Sequence, residues 1–215
     1  MHNAKKFLIE GINGAGKDYV LEQILREFGD EIRLIKFPNN QKIVAQINHL
    51  YSLLPHLKYE EQLIILKIIH NLFDLDFRTF NPYKDEKEAS KKIWMLNRYY
   101  TSNIVYANLH KVWEPYWQEN HNLMPIDFCI YLEVQDREKP IYYSLMKEHA
   151  STVLAYYDQI TPDILFHEGQ DLYGRILGNE KSKGNINVVK KIGALQTNTV
   201  EDVKMALWAI NHSLV

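Results

Sequence analysis

Residues 11–17 read G-I-N-G-A-G-K, a glycine, four residues and then Gly-Lys. The chemistry that needs this pattern is phosphate binding. Glycines let backbone N–H groups turn inward on phosphate oxygens, a lysine ammonium reaches the β and γ oxygens, and a helix N-terminus behind them favours the anion. Gly11, Gly14 and Gly16 meet the first need and Lys17 the second, with Asn13 and Ala15 completing the loop. The residue after the lysine is ordinarily Ser or Thr, a neutral ligand for Mg²⁺. Here it is Asp18, followed by Tyr19. A carboxylate is also a hard oxygen ligand for Mg²⁺, but it sets negative charge beside the phosphates unless a metal lies between them.

Such a loop requires a strand before it and a helix after it. "KFLI" (6–9) is a short apolar strand, and a helix over 17–28 places Val20, Leu21, Ile24, Leu25 and Phe28 on one face. "IRLIKF" (32–37) is a second strand, stopped by Pro38, and helices are expected over 40–54 and 59–77. A polar stretch (81–92) precedes a third strand, "IWML" (93–96), and a helix from Ser102 to Glu119. "FCIYLEV" (128–134) is the nearly continuous apolar run of a buried parallel strand. Residues 140–177 are expected to be helical, with a break at 178–187, a fifth strand "INVVKKI" (186–192), and a last amphipathic helix capped near Asn198 or Thr199. Alternation of this kind predicts a three-layer α/β/α sandwich around a five-stranded parallel sheet, of the P-loop NTPase type. The whole chain, 1–215, is expected to be a single domain with a lid-like helical segment around 140–185.

With 25 basic and 27 acidic residues the chain lacks the basic footprint of a dedicated nucleic-acid binder. Its lone cysteine, Cys129, excludes an internal disulfide framework and suits a reducing, cytoplasmic compartment. No apolar stretch is long enough for a membrane span, and the opening MHNAKKFLIE is not a secretory leader.

The stretches "IEGINGAGKDYVLEQI", "KFPNN", "NLFDLDF", "NRYYTSNIVYA" and "DFCIYLEV" come in the order and spacing of thymidylate kinases, which the chain resembles over roughly residues 6–135. The resemblance implies transfer of a phosphoryl group from ATP, with Mg²⁺, to a pyrimidine deoxynucleoside monophosphate, dTMP above others, and a homodimer. It also implies roles. Lys17 and residues 11–19 hold the donor phosphates, with Asp18 at the metal. Asn13 contacts the acceptor sugar, Phe73 stacks on the base, and Arg98 grips the acceptor phosphate. Phe37 belongs to the F-P turn, while Ser102, Asn103 and Tyr106 line the base and sugar pocket. Lys17 and Arg98 are thus catalytic candidates, and Arg175 is the third.

This chain departs from the family pattern at several of these places. Asn97 stands where the acid of D-R-Y is expected, so the metal-supporting carboxylate is read as having moved from 97 to 18. Phe77 stands where an arginine is expected, with Arg78 one residue on as its substitute. The lid region is poor in arginine, and Arg175 is its candidate for a charge over the transferring phosphoryl group. Asn39, Asn40 and Asn97 replace the acids that a nucleoside kinase would use as a base, which favours a monophosphate acceptor over a nucleoside. Three alternatives stay open: a kinase-like nucleotide binder with weak or no catalysis, a deoxynucleoside kinase and, last, an ATPase or GTPase switch.

Overall fold

The computed structural model describes residues 4–81, 91–114, 123–149 and 160–212. Five parallel strands form one sheet in the order β2-β3-β1-β4-β5. They are β1 (Lys5–Glu10), β2 (Ile32–Lys36), β3 (Ile93–Asn97), β4 (Ile126–Glu133) and β5 (Ile186–Gly193). The three central strands are buried on both faces, so they carry near-continuous apolar runs: Phe7, Leu8 and Ile9 on β1, Trp94, Met95 and Leu96 on β3, and Cys129 to Leu132 on β4. β5, at the sheet edge, is largely exposed between Ile186 and Ile192.

The strands are joined by α1 (Lys17–Phe28), α2 (Gln41–Leu53), α3 (Tyr59–Thr79), α4 (Tyr100–Leu109), α5 (Lys139–His149), α6 (Gln170–Ser182) and α7 (Thr199–His212). α1 buries Val20, Leu21 and Ile24 against the sheet, the face expected from their helical spacing. A turn at Pro162–Ile164 and a single π-turn at Leu165–Gly169 lead into α6.

Two helix ends differ from expectation. α4 begins two residues early and stops at Leu109, where Lys111 takes a left-handed φ of 60° and Val112 N–H bonds back to the Ala107 carbonyl. α6 runs through the expected break at 178. Gly178 faces open space there, and the helix ends only where Gly184 turns left-handed (φ 77°) and Asn185 N–H reaches the Glu180 carbonyl. Of the tryptophans among the described residues, Trp94 is buried, Trp113 is partly so, and Trp208 is exposed. Trp117, part of the expected 81–92 surface stretch and part of the expected 140–177 helix lie outside the described residues.

Register places the chemistry. Lys36, Asn97 and Ile9 lie side by side on β2, β3 and β1, so the F-P turn, the Asn97-Arg98 turn and the phosphate loop leave the sheet together. The crevice beyond the carboxyl ends of the strands is where such sheets bind ligands. The F-P turn is tied from behind by Asp76, a buried α3 carboxylate that accepts the Asn39 N–H at 2.5 Å and the Asn40 N–H at 2.9 Å. Asn40 in turn caps α2, its side chain accepting from Lys42 N–H.

Replacing Asp76 by Ala strands two backbone donors, and the urea midpoint is expected to fall by the equivalent of about 3 kcal/mol. An unchanged midpoint would show that the turn does not depend on this carboxylate.

Candidate functional site

The loop after β1 closes on itself. Gly11 sits at φ 151°, and an added Cβ would lie 2.7 Å from the Leu132 carbonyl oxygen of β4. Only glycine permits that approach. Gly14, at φ 79°, is covered by Met146 and Tyr142 of α5. Lys17 Nζ donates to the Gly11 and Ile12 carbonyls, both at 2.7 Å. Its ammonium is buried, which lowers its pKa well below the ordinary value, and the nearby Arg98 charge lowers it further.

Glu10, the last residue of β1, is fully buried beneath this loop. It accepts the Tyr99 N–H at 3.1 Å, the Ser102 hydroxyl at 2.5 Å and the Thr101 hydroxyl. Burial raises its pKa despite these donors and the charges of Arg98 and Lys17. With its oxygens already facing three donors, it ties the end of β1 to the start of α4.

Arg98 follows β3 at a left-handed φ of 64°, a conformation a non-glycine residue adopts only when its surroundings impose it. Here the Arg98 N–H bonds to the Ile9 carbonyl at 3.1 Å. The guanidinium donates to the Asn13 side-chain oxygen, to Tyr173 Oη at 3.1 Å and to Ser102 Oγ at 3.3 Å, with the Tyr106 ring 5.4 Å away. Tyr106 Oη also accepts the Asn13 N–H at 3.0 Å.

These groups wall a cavity of about 130 Å³. The structure brings to it Asn13, Phe37, Phe73, Arg98, Ser102, Asn103 and Tyr106, all named from the sequence, and adds Tyr51, His70, Phe77 and Tyr99. His70, Phe73 and Phe77 share one face of α3 at i, i+3 and i+7 spacing, a signal present in the sequence beside Phe73. Phe77 also packs edge-on against Phe37 and Tyr99, with ring centroids 5.0 and 5.4 Å apart. Nothing local in the sequence marks Tyr51, or Tyr173, which arrives from α6.

Two expected residues are not brought here. Arg78, a turn of about 100° from Phe77, pairs with Asp74 at 2.7 Å on the flank of α3. Arg175 lies on the exposed side of α6, paired with Asp171 at 3.0 Å, while Tyr173 on the buried side points at Arg98. Lys139 of α5 is likewise engaged elsewhere, over the Phe166 ring at 4.6 Å.

Asp18 and Asn97, the two departures read from the sequence, touch: Asn97 Nδ2 donates to Asp18 Oδ1 at 2.9 Å. Lys36 Nζ lies 3.9 Å from the same oxygen. Asn97 Oδ1 is buried without a hydrogen-bond partner among the described residues. On the far side of the loop a second cleft, about 460 Å³, is walled by Ala15, Gly16, Tyr19, Leu195, Thr197 and Lys204, among others. The segment after β5 was not singled out by the sequence; its place beside the loop follows from β5 pairing with β4.

Behind the first cavity His70 and His110 are both buried. Burial pulls His70 down to about 4, against the hydrogen bond its ring makes to the Asn103 amide oxygen, and lowers His110 well below its ordinary value. The unfolded chain therefore takes up protons that the folded chain refuses. For His70 this stability is present above pH 6.5 and is lost as pH falls toward 4, by up to about 3 kcal/mol. Urea midpoints at pH 7 and 4.5 are expected to fall further in the parent than in His70→Gln. Equal losses would show that His70 is not held neutral.

No curated protein matches this chain. Among solved structures, the thymidylate kinase of Ehrlichia chaffeensis superposes with a TM-score of 0.54 at 13% identity, covering 98% of this chain and all of that one. A deoxyadenosine kinase from M. mycoides, solved with the products dCMP and dCDP, superposes with a TM-score of 0.55 at 15% identity, covering 95% of this chain and 99% of that one. Likeness at such identities establishes the fold, a P-loop α/β sandwich. The family model for thymidylate kinase matches residues 9–158, a span that runs from the phosphate loop through the Arg98 turn and β4. This chain belongs to the thymidylate kinase family of nucleotide kinases.

Proposed function

We propose that this protein transfers the γ-phosphoryl group of ATP to the phosphate of a pyrimidine deoxynucleoside monophosphate, dTMP before others. One observation carries the proposal. The phosphate loop is the shared wall of two cavities, Asn13 facing the smaller one with Arg98, and Ala15 and Gly16 facing the larger cleft. A donor in the larger cleft and an acceptor in the smaller one would meet at Lys17.

The charge of the smaller cavity selects the acceptor. Arg98 is its cation, and no carboxylate is among its described lining residues. A nucleoside 5′-hydroxyl needs a base to take its proton, whereas a monophosphate is already an anionic nucleophile. The nearby acids are occupied, Glu10 by three donors and Asp76 by two backbone N–H groups. Arg98 is therefore assigned to the acceptor phosphate, Asn13 and Tyr106 to its sugar, and Phe73 to its base. Lys17 exchanges its loop carbonyls for donor phosphate oxygens, and Lys17 with Arg98 stabilises the charge of the transferring group. Arg175, tied to Asp171 in solvent, is given no part.

Asp18, in the first turn of α1, and Asn97 Oδ1, at the end of β3 and without a hydrogen-bond partner among the described residues, are hard oxygen donors, and they fit Mg²⁺. Bound there, the ion supplies neutralisation of phosphate charge. Asn97 Nδ2 orients the Asp18 carboxylate for that task, and Lys36 lies against it. Homodimer formation is part of the same proposal, with Ile64, Ile68 and Leu75 on α3 offering exposed apolar surface; so is a cytoplasmic location. A second reading, a nucleotide binder of low turnover, is favoured by the engagement of the Lys17 ammonium with its own loop.

A coupled assay of ATP consumption with dTMP, dUMP, dCMP, dAMP, dGMP and thymidine decides between these. Turnover is expected with dTMP and not with thymidine. Arg98→Ala is expected to lower kcat/KM by about a thousandfold. Failure to convert any of the monophosphates or thymidine would leave only the binder, and conversion of thymidine alone would make the protein a nucleoside kinase. In direct nucleotide-binding titrations, Asp18→Ala is expected to raise the Mg²⁺ concentration needed for half-maximal effect at least about tenfold, and an unchanged requirement would remove Asp18 from the metal site.

A further inference from the structure

Tyr19, in the first turn of α1, is 62% exposed. Among the described residues its ring meets no aromatic or cationic partner and its hydroxyl makes no hydrogen bond. It stands in the wall of the larger cleft, with Ala15 and Gly16 of the phosphate loop. The rest of the apolar wall comes from Val20 on the same helix, from Ile141 of α5, itself exposed, and from Leu195 and Val200 after β5. Leu195 is fixed against the loop. Its backbone is left-handed (φ 58°), and its Cδ2 lies 3.3 Å from where a Cβ on Gly16 would sit. A non-glycine residue holds such a backbone only where its surroundings impose it.

Several polar groups of this cleft are engaged with their neighbours. Lys204 Nζ pairs with Glu27 at 2.5 Å and with Glu201 at 3.0 Å. Thr199 Oγ1 accepts the Gln196 N–H at 2.9 Å and donates to the Gly193 carbonyl at 2.7 Å. The cleft therefore offers the phosphate loop, an apolar wall and, among its described lining residues, one aromatic ring. A nucleoside triphosphate matches that combination. Its terminal phosphate faces Lys17 and the acceptor cavity on the Asn13 side, which leaves its sugar and base on the side of Ala15 and Gly16. The resemblance gave Tyr19 to the phosphates. The face of a phenol ring is the negative pole of its quadrupole, so it repels a phosphate oxygen, whereas the flat face of a base stacks on it.

We propose that Tyr19 stacks on the base of the donor nucleotide, with Leu195, Val200 and Ile141 as the aliphatic part of the same slot. The proposal rests on the donor cleft assigned under Proposed function and changes the part Tyr19 plays in it. The ring touches the base and not the phosphates, so it adds affinity that the phosphate loop does not supply. A base seated there also covers apolar surface that the empty cleft leaves in water.

The test uses the full chain and binding rather than turnover. Calorimetric Kd values are measured for ATP and for inorganic tripolyphosphate, each with Mg²⁺. Tyr19→Ala is expected to weaken ATP about tenfold, the scale of one base–aromatic stack, and to leave tripolyphosphate within about twofold. Tyr19→Phe, which keeps the ring and loses the hydroxyl, is expected to bind both ligands as the parent does. Nuclear Overhauser contacts between the adenine ring protons and a tyrosine ring are expected in the parent and absent in Tyr19→Leu. An ATP affinity unchanged in Tyr19→Ala, an equal loss of both ligands, or a loss in Tyr19→Phe overturns the proposal. Lys17→Met, expected to weaken both ligands, tests the donor site separately. If it changes neither, or if the parent binds neither, the cleft is not the donor site and the stack falls with it. A protein that binds ATP through Tyr19 and transfers nothing keeps the stack and loses only the transfer reading.

Discussion

Glu10 is the constraint on which the rest of the site depends. A carboxylate without solvent is stable only with donors and opposite charge around it. Here the backbone and hydroxyls of Tyr99, Thr101 and Ser102 supply the donors, and Lys17 and Arg98 the charge. That arrangement fixes the start of α4 against the end of β1. It also explains why Arg98 holds its left-handed backbone: Arg98 itself is anchored through Ile9, and the next residue, Tyr99, through Glu10. The two cations share one buried carboxylate, so the group carries net positive charge next to the phosphate loop. An anion entering the cavity relieves that excess.

The second organising contact is between Asp18 and Asn97. Separately, an acid in place of a hydroxyl and an amide in place of an acid look like two losses. Together they are one hydrogen bond, across a loop and a strand end placed side by side by the parallel register of β1 and β3. The amide nitrogen suits a carboxylate where a second carboxylate would repel it, so the two changes are complementary in charge as well as in position.

Aromatic packing shapes the acceptor side. Phe77 meets Phe37 and Tyr99 edge-on, Phe37 lies tilted against Tyr99, and Asp76 secures the turn that carries Phe37. The wall of the cavity is therefore continuous with the interior. Phe73 packs against Phe77 while keeping a surface on the cavity. Rigid walls of this kind hold the shape of the cavity and leave its few polar groups to orient what enters it.

Much of this was legible in the sequence because it rests on local patterns. Glycine spacing with Lys17, five apolar runs and their intervening helical faces led to the loop, the sheet and the family resemblance, since each is encoded within a dozen residues. Helix ends were less legible: α6 passed Gly178 because nothing crowds it, and stopped at Gly184 because a left-handed residue could close the turn there. The arginines show the limit most clearly. Arg98 was placed by its motif, but Arg78 and Arg175 pair with Asp74 and Asp171 away from the cavity, a placement that only side-chain direction in the packed fold decides. Contacts between distant segments, Asp18 with Asn97, Tyr173 with Arg98, His110 through His70 with Asn103, were settled by tertiary structure alone. They depend on strand register and helix packing across tens of residues, and sequence spacing carries no record of either.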